Sequence, residues 1–254
     1  MAGVEYAEDG GLVRITLNRP DRRNALTAGD WLDLCAAARR AARSTARAVL
    51  LQGAGGAFSA GFDISEIEPG KIDALDLIDR SVNPALRAVR DIPVPTIAAV
   101  DGACVGGGLG IAAACDIVMA SERARFGAPY VNIGIMADAG LHVFLRDAIG
   151  YQRAAYLIMS GRILSAAEAQ AMGLCAMLLP SDAFDAEVES LVSRLASGPT
   201  QAMIRSKRIL RTAPSAEVGF NEEARLQDEV FATADASEGI DAFIAGRQPN
   251  FRGQ

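Results

Sequence analysis

The chain has a single histidine, His142, and only four cysteines, Cys35, Cys104, Cys115 and Cys175, none of them in a C-x-x-C pair. That poverty removes the spacings from which structural zinc sites are built and offers no disulfide framework. The simplest reading is reduced, buried thiols in a cytoplasmic protein. Basic residues are not in excess either: 25 Lys and Arg stand against 31 Asp and Glu, a net charge of −6. This argues against nucleic acid or an anionic membrane as the main partner, while leaving room for a local basic site for a phosphorylated ligand. No apolar run approaches the about 18–20 residues needed to span a bilayer. The N-terminal stretch "MAGVEYAEDGG" has neither the basic start nor the apolar run of a signal peptide.

What is present is an ordinary globular supply of apolar residues, half of the 254, spread along the whole chain. That length suits one large domain or two small ones. "VEYAEDGGLVRITLNRP" reads as a hairpin turning at Asp9-Gly10-Gly11. Thr27 is a candidate N-cap for a helix over "AGDWLDLCAAARRAARS", with Trp31, Leu32 and Cys35 expected on one face. "ARAVLLQG", "TIAAVDG" and "DIVMAS" read as buried strands, and "KIDALDLIDRSVNPALRAV" has helical spacing. Strand and helix therefore alternate over the first two-thirds, an α/β pattern. Beyond about Asp138 the chain turns helical. "SAAEAQAMG" opens with a capping box, Ser165 with Glu168, and stops at Gly173. Three more helical segments follow, over "DAFDAEVESLVSRLASG", "TQAMIRSKRILRT" and "AEVGFNEEARLQDEVFATA".

The segment "DGACVGGGLGIAAACD", Asp101 to Asp116, is nearly bare backbone. A dinucleotide fingerprint beginning at Gly106 would need glycine at position 111, which is Ile111. Gly102 and Gly107 have Walker A spacing, but Gly108-Leu109 replaces the lysine and hydroxyl residue that would meet phosphate and magnesium. What remains is a strand, a glycine turn and a helix start, which presents free backbone N–H groups at the positive end of a helix dipole. The target would be a phosphate or a carbonyl oxygen gaining charge. Close packing of a helix on a sheet also calls for small residues, so that reading stands beside it. "GAGGAFSAGFDISEI", Gly53 to Ile67, repeats the pattern, with a helix expected to begin near Asp63. Two such sources of N–H groups can aim at one oxygen.

With both segments in view, the chain resembles the enoyl-CoA hydratase/isomerase (crotonase) superfamily. The resemblance is carried by "LNRPDRRNAL", "AFSAGFDISEI", "IAAVDGACVGGGLGIAAACDIVMAS", "ARFGAPYVNIGI", "GRILSAAEAQAMGL" and "FATADASEGIDAFIAGRQPNF". It implies an α/β fold of the crotonase (ClpP-like) type, a spiral of β-β-α units. The spiral core, with its CoA-binding and oxyanion-hole loops, would occupy 1–195, and a helical trimerisation region 196–254. It implies a homotrimer or hexamer acting on an acyl-CoA thioester, with no metal or redox cofactor because a delocalised enolate carries the charge. The oxyanion hole would be the Phe62 and Gly107 N–H groups, and Ala60, Asp63 and Ile64 would line the CoA loop. Arg23, or its neighbour Arg22, would meet a CoA phosphate; a solvated surface arginine is the other reading of each. Glu66 and Asp116 match positions that hold a helix end and a turn.

The pattern also departs from the hydratases it resembles. Their two glutamates would fall at Gly110, three residues past the oxyanion glycine, and at Tyr130, after "FGAP". Hydration by a carboxylate pair is therefore unavailable. A different carboxylate, Asp138, stands in "IMADAGL" eight residues after Tyr130. Resemblance to certain isomerases makes it a base and to a dehalogenase a nucleophile, and its place before "AGLHVFLRDAIG" makes it a helix cap. Tyr130 would donate a hydrogen bond at the site or line the pocket. His142, four residues beyond Asp138, is either paired with it or incidental. The expectation is an enoyl-CoA double-bond isomerase with Asp138 as base. The alternatives are acyl-CoA hydrolysis, dehalogenation or decarboxylation, or acyl-CoA binding without catalysis.

Overall fold

The computed structural model describes residues 3–68 and 70–254, so Met1, Ala2 and Pro69 lie outside the described residues. Strands β1 (Val4–Asp9) and β2 (Leu12–Leu17) pair antiparallel, from Val4 opposite Leu17 to Asp9 opposite Leu12. The turn between them runs through Gly10 and Gly11, both at positive φ, as a two-residue hairpin turn requires. Along β2, Val13, Ile15 and Leu17 are buried while their neighbours are only partly so, the period-2 signature of a strand packed on one face.

Helix α1 (Ala28–Arg43) begins at Thr27 with a reciprocal cap: the Thr27 hydroxyl accepts from the Asp30 amide, and the Asp30 carboxylate accepts from the Thr27 amide. Its buried face is Trp31, Leu34, Cys35, Ala38 and Ala41. Leu32 is exposed, contrary to the sequence expectation, because one residue advances the helix by about 100° and carries it off the stripe that Trp31 starts. Strand β3 (Ala48–Gly53) follows. The helix expected near Asp63 is a single 3₁₀ turn, Ile64–Glu66, capped by the Asp63 carboxylate. No apolar period sustains "SEIEPG", and the proline in it disfavours helical geometry at the residue before it. Helices α2 (Ala74–Leu77) and α3 (Asn83–Arg90) are joined by a wider π-type turn over Ile78–Val82.

Strands β4 (Thr96–Val100) and β5 (Ala103–Val105) lead into helix α4 (Gly107–Ala114), and β6 (Ile117–Ser121) and β7 (Arg125–Gly127) follow. A 3₁₀ turn, Pro129–Ile133, then precedes α5 (Leu141–Ile149), α6 (Tyr151–Ser160), β8 (Ile163–Ser165), α7 (Ala166–Met172) and β9 (Met177–Leu179). Helix α7 has the expected Ser165–Glu168 capping box and ends at Gly173 in the left-handed conformation. Helices α8 (Phe184–Ala196), α9 (Thr200–Thr212), α10 (Ala216–Phe231) and α11 (Ala234–Ile244) complete the chain.

The larger sheet has the order β1-β2-β3-β4-β6-β9 and is parallel beyond the opening hairpin; the smaller is β5-β7-β8. Strand β4 and the first four residues of β3 are buried on both faces, as central parallel strands are. Val49, Leu51, Ala98 and Val100 pack with Trp31, Leu34, Leu86 and Val89. The alternate residues Ala48, Leu50, Ile97 and Ala99 meet Phe184, Val188, Leu191 and Val192 of α8. Short strands β5, β7, β8 and β9 have only three residues each, too few for a period to show in the sequence.

The C-terminal helices are tied to this sheet through Asp116. Its Oδ2 accepts from the Thr96 amide at 2.8 Å and meets Lys207 Nζ at 2.6 Å, while Oδ1 meets Arg211 Nη2 at 2.6 Å. Arg47 reaches across to the Gly198 and Phe251 carbonyls and the Thr200 hydroxyl. Asp116→Ala leaves the largely buried Lys207 and Arg211 without their counter-charge. The expected loss is about 3 kcal/mol of unfolding free energy, the low end for breaking a buried ion pair, read from urea unfolding.

Candidate active site

Backbone contact builds the site. Gly106, with φ 55 and ψ −128, ends β5 and starts α4 in a conformation that a side chain strains. Its amide donates to the Gly127 carbonyl at 2.9 Å, which fastens the turn to β7. Beside it, Gly61 lies at φ 91, and a Cβ there would stand 2.8 Å from the Gly107 nitrogen. A Cβ on Gly107 would meet Trp31 Cζ2 at 2.8 Å, and one on Gly108 would strike the Ser59 carbonyl oxygen. The two glycine segments are therefore pressed together, and both readings of the glycines hold: they permit close packing, and they present amides. Among the described residues, the Phe62 and Gly107 N–H groups have no hydrogen-bond acceptor. Phe62 is half-buried and Gly107 buried, with the positive end of α4 behind the latter.

The 59–63 loop is shaped from within by residues that periodicity does not reveal. Asn24, fully buried and at φ 55, donates to the Ala54 and Ala57 carbonyls and accepts from the Arg19 amide. Ser59, also fully buried, donates to the Asn24 carbonyl and accepts from the Gly61 amide at 3.0 Å. Arg19 bonds Asp63 Oδ2 at 2.9 Å and the Ala25 carbonyl at 2.6 Å. All four lie within motifs that carry the family resemblance, so the signal for them was the motif and not their chemistry.

Of the residues expected to line a CoA loop, Ile64 is exposed, and Ala60 is tied by its amide to the Arg23 carbonyl at 2.9 Å. Asp63 is buried, and its carboxyl lies below the usual carboxylate range, chiefly through the Ser65 hydroxyl bond with the Arg19 bond adding to it. Its amide is committed to Leu26 and its carbonyl to Glu66, so every polar group of Asp63 serves the loop. Arg22 and Arg23 are exposed, and Arg23 adopts the left-handed conformation at φ 51. Glu66 accepts from the Ala28 amide at the start of α1, and Asp116 holds the turn described above, as the sequence suggested for both.

Tyr130 and Asp138 meet. The tyrosine hydroxyl donates to Asp138 Oδ1 at 2.6 Å, and the ring lies against Gly106, at the entrance to α4. Asp138 Oδ2 has no partner among the described residues. The side chain does not cap α5, whose N-cap position is Gly140 in the left-handed conformation. Burial pushes the Asp138 carboxyl above its ordinary range, with the Tyr130 bond and the nearby His142 charge acting in the opposite direction. His142 itself is exposed. Burial and the neighbouring carboxylate push the Tyr130 phenol up, so it stays a proton donor. Cys104 lies fully buried and Cys115 nearly so, and burial raises the Cys104 thiol and lifts the Cys115 thiol to about 12, so neither is a nucleophile. Position 110, where hydratases would place a glutamate, is filled: a Cβ on Gly110 would stand 2.7 Å from Ala139 Cβ and would strike the Ala139 carbonyl oxygen.

A carboxyl whose pKa rises on folding binds more protons in the folded chain than in the unfolded one. Stability is therefore lost as pH climbs from 3.8 through the raised folded value. Asp138→Asn removes this penalty and keeps an acceptor for Tyr130. Its melting temperature should exceed the parent's at pH 7, and the gap should close as pH falls below the ordinary carboxylate range, read by thermal unfolding across pH.

The family model for enoyl-CoA hydratase/isomerase matches residues 7–254. The 2,3-dehydroadipyl-CoA hydratase of Escherichia coli K12 is 35% identical over 94% of this chain and 94% of its own length. Among solved structures, an enoyl-CoA hydratase/carnithine racemase from Magnetospirillum magneticum superposes with a TM-score of 0.89 at 35% identity, covering 100% of this chain and 97% of that one. The enoyl-CoA hydratase from Mycobacterium smegmatis superposes at 0.91 with 28% identity, over 99% of each chain. Two loops joined backbone to backbone, with free amides at their junction, thus sit in a chain that belongs to the enoyl-CoA hydratase/isomerase family and has its crotonase fold.

Proposed function

We propose that this chain is an enoyl-CoA double-bond isomerase with Asp138 as its base. One observation supports this above the others: Asp138 has Oδ1 held by Tyr130, whose ring lies against Gly106 next to the free Gly107 amide, and Oδ2 left without a partner among the described residues. The thioester oxygen of a 3-enoyl-CoA would accept from the Phe62 and Gly107 N–H groups. Asp138 Oδ2 would take a proton from the carbon between the carbonyl and the double bond. The electron pair of that C–H bond delocalises through the thioester and the alkene, and the amides stabilise the charge arriving on oxygen. Asp138 then returns the same proton to the far carbon of the former double bond, which leaves the conjugated 2-enoyl-CoA. Partial burial suits a carboxyl to both halves of that transfer, since a raised pKa brings it nearer the reacting carbon acid. No water is consumed, so no second carboxylate is needed.

Ala60 and Ile64 would border the CoA, with Asp63 shaping their loop from behind and Arg23 at the surface to meet a phosphate. The chain would assemble as a homotrimer or hexamer. Phe220 and Phe231 on α10 and Phe243 and Ile244 on α11 support this, being large apolar side chains left exposed on one chain.

Conjugated thioester absorbance should appear when the protein meets a 3-enoyl-CoA, and Asp138→Ala should lower kcat by about 10³-fold with binding retained. Tyr130→Phe removes a donor to the carboxylate, so the acid limb of its kcat/KM profile should move to higher pH. Release of free CoA, or hydration of a 2-enoyl-CoA at comparable rate, would contradict the isomerase. Light scattering on the eluting protein should give three or six chain masses; a monomer would contradict the assembly.

A further inference from the structure

Among the described residues, Ala139 is one of three other than glycine at positive φ, at 52°, and it is 1% exposed. A left-handed alanine costs about 1–2 kcal/mol and persists only where its surroundings hold it. The room for it is left by Gly110, three residues after Gly107 on the same helix. The Ala139 carbonyl oxygen and Cβ occupy the space that a side chain at position 110 would need. Asp138 precedes Ala139 directly, and Gly140 follows it, also left-handed, as the N-cap of α5. Helix α4 therefore carries an oxyanion amide at its first residue and seats the turn that bears Asp138 at its fourth.

From this contact we infer that Ala139, seated on Gly110, is a positioning residue that sets the Asp138 carboxylate against the Gly107 amide. The same contact closes position 110: a side chain there and Ala139 in its present place exclude each other, so the carboxylate that hydratases would carry at 110 has no room here. The inference rests on the reading of Asp138 as base. The groups facing Asp138 are Tyr130 from the 3₁₀ turn and His142 from α5, and both keep their identity in variants at 110 or 139.

Three variants test it on 3-enoyl-CoA: Gly110→Ala, Ala139→Gly and Asp138→Asn. Misplacement by about an ångström costs about 100-fold, so Gly110→Ala should lower kcat by about that factor with KM within about threefold. Ala139→Gly fits the left-handed conformation without strain and should stay folded, yet it loses the Cβ seat and should lower kcat by about tenfold. In both, the turn loosens and water reaches Asp138. Its carboxyl titration, followed by carbon NMR on aspartate-labelled protein and assigned with Asp138→Asn, should then move down toward the ordinary range. A purely structural role would lower melting temperature and leave that titration where it is.

Should Gly110→Ala not fold, Ala139→Gly carries the test by itself. Parent-like kcat and an unmoved titration in Ala139→Gly, with Asp138→Asn inactive, would overturn the positioning role. Parent-like turnover in Asp138→Asn would instead overturn the reading of Asp138 as base.

Discussion

Everything in the site depends on how closely helix α4 approaches its neighbours. Side chains at 61, 107, 108 and 110 would each collide with backbone, with Trp31 or with Ala139. Their absence lets the 59–62 loop and the 137–140 turn lie against the helix start without an intervening layer. The Phe62 and Gly107 amides are left without an acceptor among the described residues, and Tyr130, bonded to Asp138, lies against Gly106 at the start of the same helix. The cost is a helix rich in glycine, each about 1 kcal/mol less favourable than alanine in isolation. Tertiary packing offsets this, since α4 is buried along nearly its whole length.

Around that contact, buried polar groups do what apolar packing cannot, which is to hold irregular backbone in one shape. Asn24, Ser59, Arg19 and Asp63 together satisfy the carbonyls and amides of a loop that has no sheet or helix ladder of its own. A preorganised donor pair is useful in catalysis because it need not reorganise when charge arrives. The network keeps the Phe62 segment from relaxing to satisfy its own amide. Asp116, Lys207 and Arg211 play a comparable part at the other end of α4, where they attach the C-terminal helices to the sheet.

The division of labour between two acidic residues shows how environment decides role. Asp63 is buried with donors on both oxygens and lies below the ordinary carboxylate range, so it is a fixed charge within the loop. Asp138 is partly buried with a donor on one oxygen and lies above that range, so it can exchange a proton. The same side chain gives a strut in one place and a candidate base in the other.

The hairpin, the buried strands β3, β4 and β6, helix α1 with its Thr27 cap and helix α7 with its capping box were legible from the chain alone, because local periodicity and caps act over a few residues. The glycine segments as amide sources and the lack of a carboxylate at 110 and 130 were legible too, since they depend only on which residue types are present. Leu32 and the helix expected near Asp63 were misread because an apolar residue or a capping carboxylate does not by itself say how far a pattern continues. Only the tertiary structure decided that Asp138 bonds Tyr130 rather than capping α5, and that Ala139 fills the space beside Gly110. Those residues lie 8 and 29 positions apart, and what joins them is the packing of one helix against two loops, which no local pattern encodes.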